Sequence, residues 1–404
     1  MPRYARMVGA TFAAAAALTM STYGSVSAAQ TTGSTTGAAR ARAAVSAAAP
    51  YADVREILQR LTTADGAPGA LAVVSDAHGR TVMTSGVADT GTNAPIAAGS
   101  RFRIGSMTKT FVATVVLQLV GEHRVELDAP VERYLPGVIR GNGNDGRDIT
   151  VRQLLQHTSG VPNYLEYLTP QQILDDPLAH HDVRELVDIA LAHPPLFSPG
   201  TGWKYSNTNY LLAGMLIEKV TGHPYGQEIG RRIIHRLGLR DTSVPGDETG
   251  IPGTHPRGYA KPGPSGLLDV TEFNPSIAGA SGAMISSGAD LDRFLGALVN
   301  GRLLRPAELR AMMTTRPTGD SSGRAYGLGL QSMPLPCGGL YWGHDGDIVG
   351  FKTMGGVTPD GRAVTVMANL DPGGSNAQST DMHTAVTTAL CEPSPVAPSG
   401  HGVS

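Results

Sequence analysis

Residues 105–122 read GSMTKTFVATVVLQLVGE. Phe111, Val112, Val115, Val116, Leu119 and Val120 make an apolar band too wide for a surface helix, so the segment is expected to lie buried in a core. Lys109 is out of place there. Residues i and i+3 share a helix face, so Ser106 and Lys109 would present a hydroxyl and an amine side by side. A serine hydroxyl is a weak nucleophile unless a base adjoins it. A lysine stripped of water loses basicity and can be that base. Backbone N–H groups in a first helical turn are free to hold an oxyanion. The alternative is a capping serine followed by a snorkelling lysine. The chain has only five lysines, and Ser106 is its only serine with a lysine three positions on.

Around this helix the pattern is that of an α/β protein. Ala52 to Thr62 reads as a short helix. ALAVVSD (70–76) and TVMTSGVAD (81–89) read as strands joined at Ala77-His78-Gly79. From about 120 to 300 the text is mainly helical segments broken by Pro and Gly. Strands return with YGLGL (326–330), then with IVGFKTMGGV and RAVTVMANL around the Pro359-Asp360-Gly361 turn, and a last helix is expected over 376–391. Strands at both ends predict one antiparallel sheet built from both chain ends with helices on its faces, and a mostly helical region inserted between. A cleft between the two parts is the natural ligand site.

The 404 residues allow a sizeable core, and the net charge of −2 argues against a nucleic-acid partner. Arg3, Arg6, the weakly apolar run Met7–Met20 and the small residues Val26-Ser27-Ala28 read as a signal peptide over 1–28; a membrane anchor would need a longer apolar run. Residues 29–50 read as a flexible leader, 51–391 as the catalytic domain and 392–404 as a disordered tail. Within the domain, 51–115 and 300–391 would form the α/β part and 116–299 the helical part. The expected mature protein is secreted, soluble and monomeric. In an exported chain Cys337 and Cys391 are expected to pair; two free buried thiols are the alternative.

Two further elements carry chemistry. In WKYSNTNYLLAGMLIEKVTG, Tyr205 and Asn207 precede an apolar helix, and their i, i+2 spacing in a loop can aim both side chains one way. A phenol beside a lysine can share its protons, and an amide can grip a substrate amide; plain helix-entry capping is the alternative. In YWGHDGDIVGF, His344 precedes a glycine-flanked strand, and Gly346 would let a ligand backbone come close. A polar strand edge with a turn is the alternative there.

Ser-x-x-Lys, then Tyr-x-Asn about a hundred residues on, then His-x-Gly near the last strands, resembles the layout of the penicillin-recognising active-site serine hydrolases. The chain is most similar to the branch holding secreted serine D-alanyl-D-alanine carboxypeptidases and class C β-lactamases. VRQLLQHTSGVP (151–162), RRIIHRLGLRDT (231–242) and SGAMISSGADLDRF (281–294) look like stretches of the actinomycete carboxypeptidases. The resemblance implies a β-lactamase/transpeptidase-like fold with a Cys337–Cys391 bridge, and neither cofactor nor metal. Ser106 would form an acyl-enzyme, with Lys109 and Tyr205 sharing acid and base duty. Asn207 would hold the substrate amide, His344 would help position the Tyr205 network, and the N–H groups of Ser106 and Asp347 would form the oxyanion hole. The implied partner is a D-amino-acid peptide or amide, and a covalent β-lactam adduct would form.

The third motif departs from that pattern. Carboxypeptidase relatives usually carry hydroxyl residues where this chain has Asp345 and Asp347, and an arginine shortly before the first cysteine of the bridge. Here that stretch is GLQSMPLPC, with Gln331. Carboxylates facing a substrate carboxylate would repel it, by roughly 4 kcal/mol per pair at about 4 Å and an effective dielectric of about 20. They would attract a free amine. The expected substrate-binding residues are thus Gln331, Asp345, Gly346 and Asp347. The leading expectation is a D-Ala-D-Ala carboxypeptidase. The alternatives are a D-stereospecific aminopeptidase, amidohydrolase or esterase, a β-lactamase, and a non-catalytic peptide-binding module.

Other motifs read as structural. GNGNDG (141–146) fits G-x-G-x-x-G but follows no clear strand, so it is expected to be a loop. His180-His181-Asp182 has no further ligand at metal spacing, and His157 is expected to serve loop structure.

Overall fold

The structure is a computed structural model describing residues 50–263 and 266–392. The expected signal peptide, the leader apart from Pro50 and the tail apart from Glu392 lie outside them.

A nine-stranded sheet organises the chain. In chain order its strands are β1 (Gly69–Asp76), β2 (Gly79–Asp89), β3 (Ala94–Pro95), β4 (Arg316–Pro317), β5 (Ala325–Tyr326), β6 (Gln331–Pro334), β7 (Leu340–Ile348), β8 (Phe351–Val357) and β9 (Ala363–Ala368). The spatial order is β4-β5-β6-β7-β8-β9-β1-β2-β3, antiparallel throughout. The two chain ends meet where β1 pairs β9, Ala70 opposite Ala368.

Alternation along β1 explains its apolar text. Ala70, Ala72 and Val74 enter one core, and Leu71 and Val73 the other. The first core lies under α1 (Ala52–Thr63) and the last helix, Asn376–Cys391. Ion pairing of Arg60 with Asp381, at 3.0 Å, joins these two helices. The second core holds α2 (Thr108–Gly121), α3 (Val151–Leu155), α4 (Thr208–Thr221) and α5 (Gly288–Val299). The rings of Phe111 and Phe294 stack at 3.6 Å between centroids, locking α2 to α5. The last helix is hereafter α6. Cys337 and Cys391 are bonded and tie the β6–β7 turn to the end of α6.

The expected elements hold, with corrections in five places. YGLGL is not one strand: it leaves the sheet after Tyr326, with Gly329 in the left-handed region at φ +72°, and β6 starts at Gln331. A Cβ on Gly327 would stand 2.0 Å from the Met312 carbonyl oxygen, so this turn is packed too tightly to run straight. IVGFKTMGGV is divided, since Ile348 ends β7 and Val349-Gly350 make the turn into β8. His344 lies inside β7 rather than before a strand. Helix α5, read from sequence within the helical part, packs on the sheet: Ser75 and Thr365 donate to Asp292 at 2.7 and 2.8 Å. GNGNDG forms a small hairpin, Arg140–Gly141 against Asn144–Asp145. Asp182 caps the helix Val183–Leu191, and His180 pairs with Asp247. Among the described residues, no helix is long and apolar enough to cross a membrane.

Candidate active site

The strand Arg101–Arg103 pairs with Ile285–Ser287 and delivers the chain to Ile104. Gly105 then takes φ +50°, a conformation costly for other residues, and starts the 3-10 turn Gly105–Met107 that leads into α2. Ser106 stands in that turn. The β7 backbone lies directly against it: a Cβ on Gly346 would be 2.1 Å from the Ile104 carbonyl oxygen and 3.1 Å from the Ser106 nitrogen. A Cβ on Gly105 would be 2.9 Å from the Asp347 nitrogen. Both glycines are therefore dictated by close approach of two backbones. In a ladder closed by the two-residue turn Val349-Gly350, Ile348 and Phe351 exchange hydrogen bonds and Asp347 and Lys352 do not. The Asp347 N–H thus points away from β8, on the side where β6 has already ended.

Lys109 is fully buried. Its Nζ lies 2.9 Å from Ser106 Oγ and donates to Asn207 Oδ1 at 2.7 Å and the Ser281 carbonyl at 2.6 Å; a neutral amine has two N–H groups for these two oxygens and a lone pair left to accept the Ser106 O–H. Burial drives its pKa well below the usual lysine value, and the charges of Asp345 and Asp347 oppose that only in part. Nζ is also 4.9 Å from the ring centroid of Tyr205. Burial raises the Tyr205 phenol well above its ordinary pKa, and its hydrogen bond with Ser106 works the other way. Ser106, Lys109, Tyr205 and Asn207 thus form one cluster. Asn207 occupies the N-cap of α4 without capping it. Its amide is held instead by Asn163, whose Oδ1 accepts from the Asn207 backbone N–H at 3.1 Å and from Nδ2 at 3.3 Å.

His344 is buried behind this cluster, its ring 6.4 Å from that of Tyr205. Packed beside both are two residues whose part in the site sequence reading missed. Tyr326 hydrogen-bonds His344 Nε2 at 2.8 Å and His157 Nε2 at 3.2 Å, and the His157 ring lies 4.3 Å from Tyr205. His157, in the left-handed region at φ +60°, also holds the Tyr205 loop. Its carbonyl accepts from the Lys204 N–H and its Nδ1 from the Ser206 N–H. The expectation of a loop-holding His157 is met, but the loop it holds carries Tyr205.

Ser106 and Tyr205 open into a cavity of about 370 Å³ that Asp345, Asp347, Gln331 and Glu166 also line. Each carboxylate has a basic companion. Asp345 accepts from Gln331 at 2.8 Å and lies 3.8 Å from Arg324; Asp347 pairs with Lys352 at 2.5 Å; Glu166 lies 3.7 Å from Lys204. Burial pushes the Asp345 carboxyl up, but His344, Arg324 and Gln331 outweigh it and hold the pKa below normal. Burial together with Asp345 keeps Asp347 above normal despite Lys352. Gly346, expected to bind substrate, is not among the residues that line the cavity and packs instead against Ile104 and the Ser106 nitrogen. Among the described residues, no group of His, Cys, Asp and Glu is arranged to hold a metal ion.

The beta-lactamase family model matches residues 54–389. Among solved structures, the chain is 43% identical to a D-stereospecific amidohydrolase from Streptomyces sp., covering 83% of this chain and 98% of that one, with a TM-score of 0.78. It is 30% identical to the D-amino acid amidase of Ochrobactrum anthropi SV3, solved with L-phenylalanine amide, covering 83% and 96% with a TM-score of 0.71. Over 246 residues it is 33% identical to esterase EstB of Burkholderia gladioli, covering 55% of this chain and 62% of that one. The chain spans about three fifths of the length of the curated relatives it matches. With the fold, the match across most of the described chain shows that it belongs to the beta-lactamase family.

Proposed function

We propose that the protein hydrolyses D-aminoacyl amides, esters or short peptides bearing a free α-amine, through an acyl-enzyme on Ser106. The observation that carries this reading is the set of carboxylates, Asp345, Asp347 and Glu166, lining the cavity into which Ser106 opens. Neutral Lys109 takes the Ser106 proton as Oγ attacks the carbonyl carbon. The negative charge that develops on the carbonyl oxygen is met by the N–H groups of Ser106 and Asp347. Tyr205, between Lys109 and the cavity, returns the proton to the leaving amine. Water then repeats the sequence on the ester, releasing a D-amino acid and regenerating Ser106. Asn207 holds the substrate amide.

The similarity to a D-stereospecific amidohydrolase supports the amine-recognising form. One observation favours the carboxypeptidase reading: Arg324 also lines the cavity, held by Asp320 at 2.9 Å, and could take a terminal carboxylate. A pair of substrates decides between them. kcat/KM is expected to be higher on a D-aminoacyl amide than on a peptide ending in free D-Ala-D-Ala, and the reverse order refutes the proposal.

Export belongs to the same reading. Removal of residues 1–28 would place the Cys337–Cys391 bridge in an oxidising compartment. Amino-terminal sequencing of the protein from culture medium should start near Ala29, and retention of the intact N-terminus inside the cell counts against it.

A further inference from the structure

Four hydrogen bonds run in one line behind the active-site wall, and their direction is fixed at both ends by backbone. The Ser206 N–H can only donate, and it donates to His157 Nδ1 at 3.2 Å. Asn209 Nδ2 lies at the same distance from that nitrogen. His157 must therefore carry its proton on Nε2, which donates to the Tyr326 hydroxyl at 3.2 Å. Tyr326 then turns its own O–H toward His344 Nε2, at 2.8 Å. At the far end the Asp345 carbonyl can only accept, and His344 Nδ1–H donates to it at 2.5 Å. His157, Tyr326 and His344 are all buried.

We propose that Tyr326 is a positioning residue: it locks His157 and His344 into opposite tautomers, both uncharged, and so pins the Asp345 carbonyl and the following β7 edge against Ser106. A proton added to His344 Nε2 would meet the Tyr326 O–H. To make way, Tyr326 would have to swing its O–H off the line, into the His157 Nε2–H or across to the Tyr210 hydroxyl, which donates to the Leu155 carbonyl. His157 could not move that proton to Nδ1, which the Ser206 N–H already occupies. His344 therefore stays neutral for as long as Tyr326 donates to it, and protonation requires the line to break at Tyr326.

The charges around His344 fit this account. Burial, with Lys109 of α2 and Arg324 of the β4–β5 connection, holds its pKa down at about 4, against the opposing charge and carbonyl of Asp345 on its own strand. Burial, with Lys109 and His344, also holds His157 well below the usual imidazole value. The other titratable groups facing the line are the phenols of Tyr205 and Tyr210, near His157. What is positioned is the strand two residues on, where the Asp347 N–H meets the Ser106 turn.

The inference uses the reading of Ser106 as nucleophile only for its kinetic arm. In ¹⁵N-histidine spectra of the full chain, assigned with single His→Gln variants, His157 should show the Nε2–H tautomer and His344 the Nδ1–H tautomer. Both should remain neutral from pH 8 down to pH 5. Tyr326→Phe keeps the ring and removes the line's centre. His344 should then titrate at higher pH, moving the acid limb of kcat/KM upward by about one pH unit or more. Loss of an aligned oxyanion donor acts in the transition state, so kcat should fall about ten- to hundredfold with KM within about twofold. An Nε2–H tautomer or a charged His344 at pH 6 in the unaltered protein overturns the proposal. So does a Tyr326→Phe protein with an unmoved acid limb and unchanged kcat. If the protein proves to have no hydrolase activity at all, the spectra still decide the inference by themselves.

Discussion

Lys109 Nζ stands 2.9 Å from Ser106 Oγ, fully buried, and among the described residues no carboxylate hydrogen-bonds the amine. Its neighbours are a hydroxyl, an amide oxygen and a carbonyl, which tolerate a neutral amine far better than an ion-pair partner would. Removing the nucleophile should therefore stop the chemistry and spare the fold. Ser106→Ala is expected to lower kcat by at least about 10³-fold with an unchanged melting temperature. Mass spectrometry after incubation with a β-lactam or an active-site ester should show an adduct on the parent protein and none on the variant. Substantial turnover by folded Ser106→Ala would sink the acyl-enzyme reading.

The pH dependence of acylation follows from the same amine. Base duty needs neutral Lys109, so the rate rises with pH through the lysine's folded pKa. Burial depresses that pKa, so the rise should lie well to the acid side of ordinary lysine titration, with the rate already on its plateau near neutrality. Stopped-flow acylation from pH 4 to 9 checks this; a rate still climbing steeply above pH 9 contradicts it.

Gly346→Ala tests the backbone contact. The added Cβ would stand 2.1 Å from the Ile104 carbonyl oxygen, which cannot yield as a flexible side chain could. The β7 edge must move off the Ser106 turn. kcat should drop by about 10²-fold or more, the scale of losing one oxyanion donor, with a smaller change in KM. Near-normal kcat would mean that Asp347 N–H takes no part.

Charge in the cavity can be tested by Asp345→Asn. The amide keeps an oxygen for Gln331 and removes the negative charge beside Arg324. Activity on free-amine substrates should fall and activity on carboxylate-terminated peptides should rise, each by about tenfold. Equal loss on both classes would mean that the aspartate is structural.

Asp292 makes a stability prediction. Burial lifts its carboxyl to about 7, against the hydrogen bonds from Ser75 and Thr365. Its folded pKa exceeds its unfolded one, so the folded state holds the proton more tightly. Stability should fall as pH rises from about 4 to 7, with a full penalty on the order of 4 kcal/mol above that range. Asp292→Asn should raise Tm at pH 8 and change it little at pH 4. An equal shift at both pH values would refute the assignment.

Local pattern was enough for much of this. The 3.6-residue spacing of apolar positions marked α2, alternation marked β1 and β2, and Ser106 with Lys109 stood out because lysine is scarce. What sequence could not supply is what depends on packing between distant segments. Asn163 reaches Asn207 from 44 positions away, and Tyr326 reaches His157 from 169. No spacing rule links such residues. YGLGL read as a strand because its glycines alternate with apolar residues, but Gly327 and Gly329 are needed for contact with Met312 and α2. The aspartates of the third motif were visible; their basic companions Arg324 and Lys352 were not.

The pairing of β1 with β9 also sets an order of assembly. Ala70 and its partner Ala368 are roughly 300 residues apart, and such non-local strand pairing slows folding. As the chain leaves the ribosome, Ser106 and Lys109 emerge early. The strand that brings Asp347 to the serine emerges near the end. A polypeptide halted before residue 347 carries the nucleophile and its amine but has no backbone edge to receive the charge they generate.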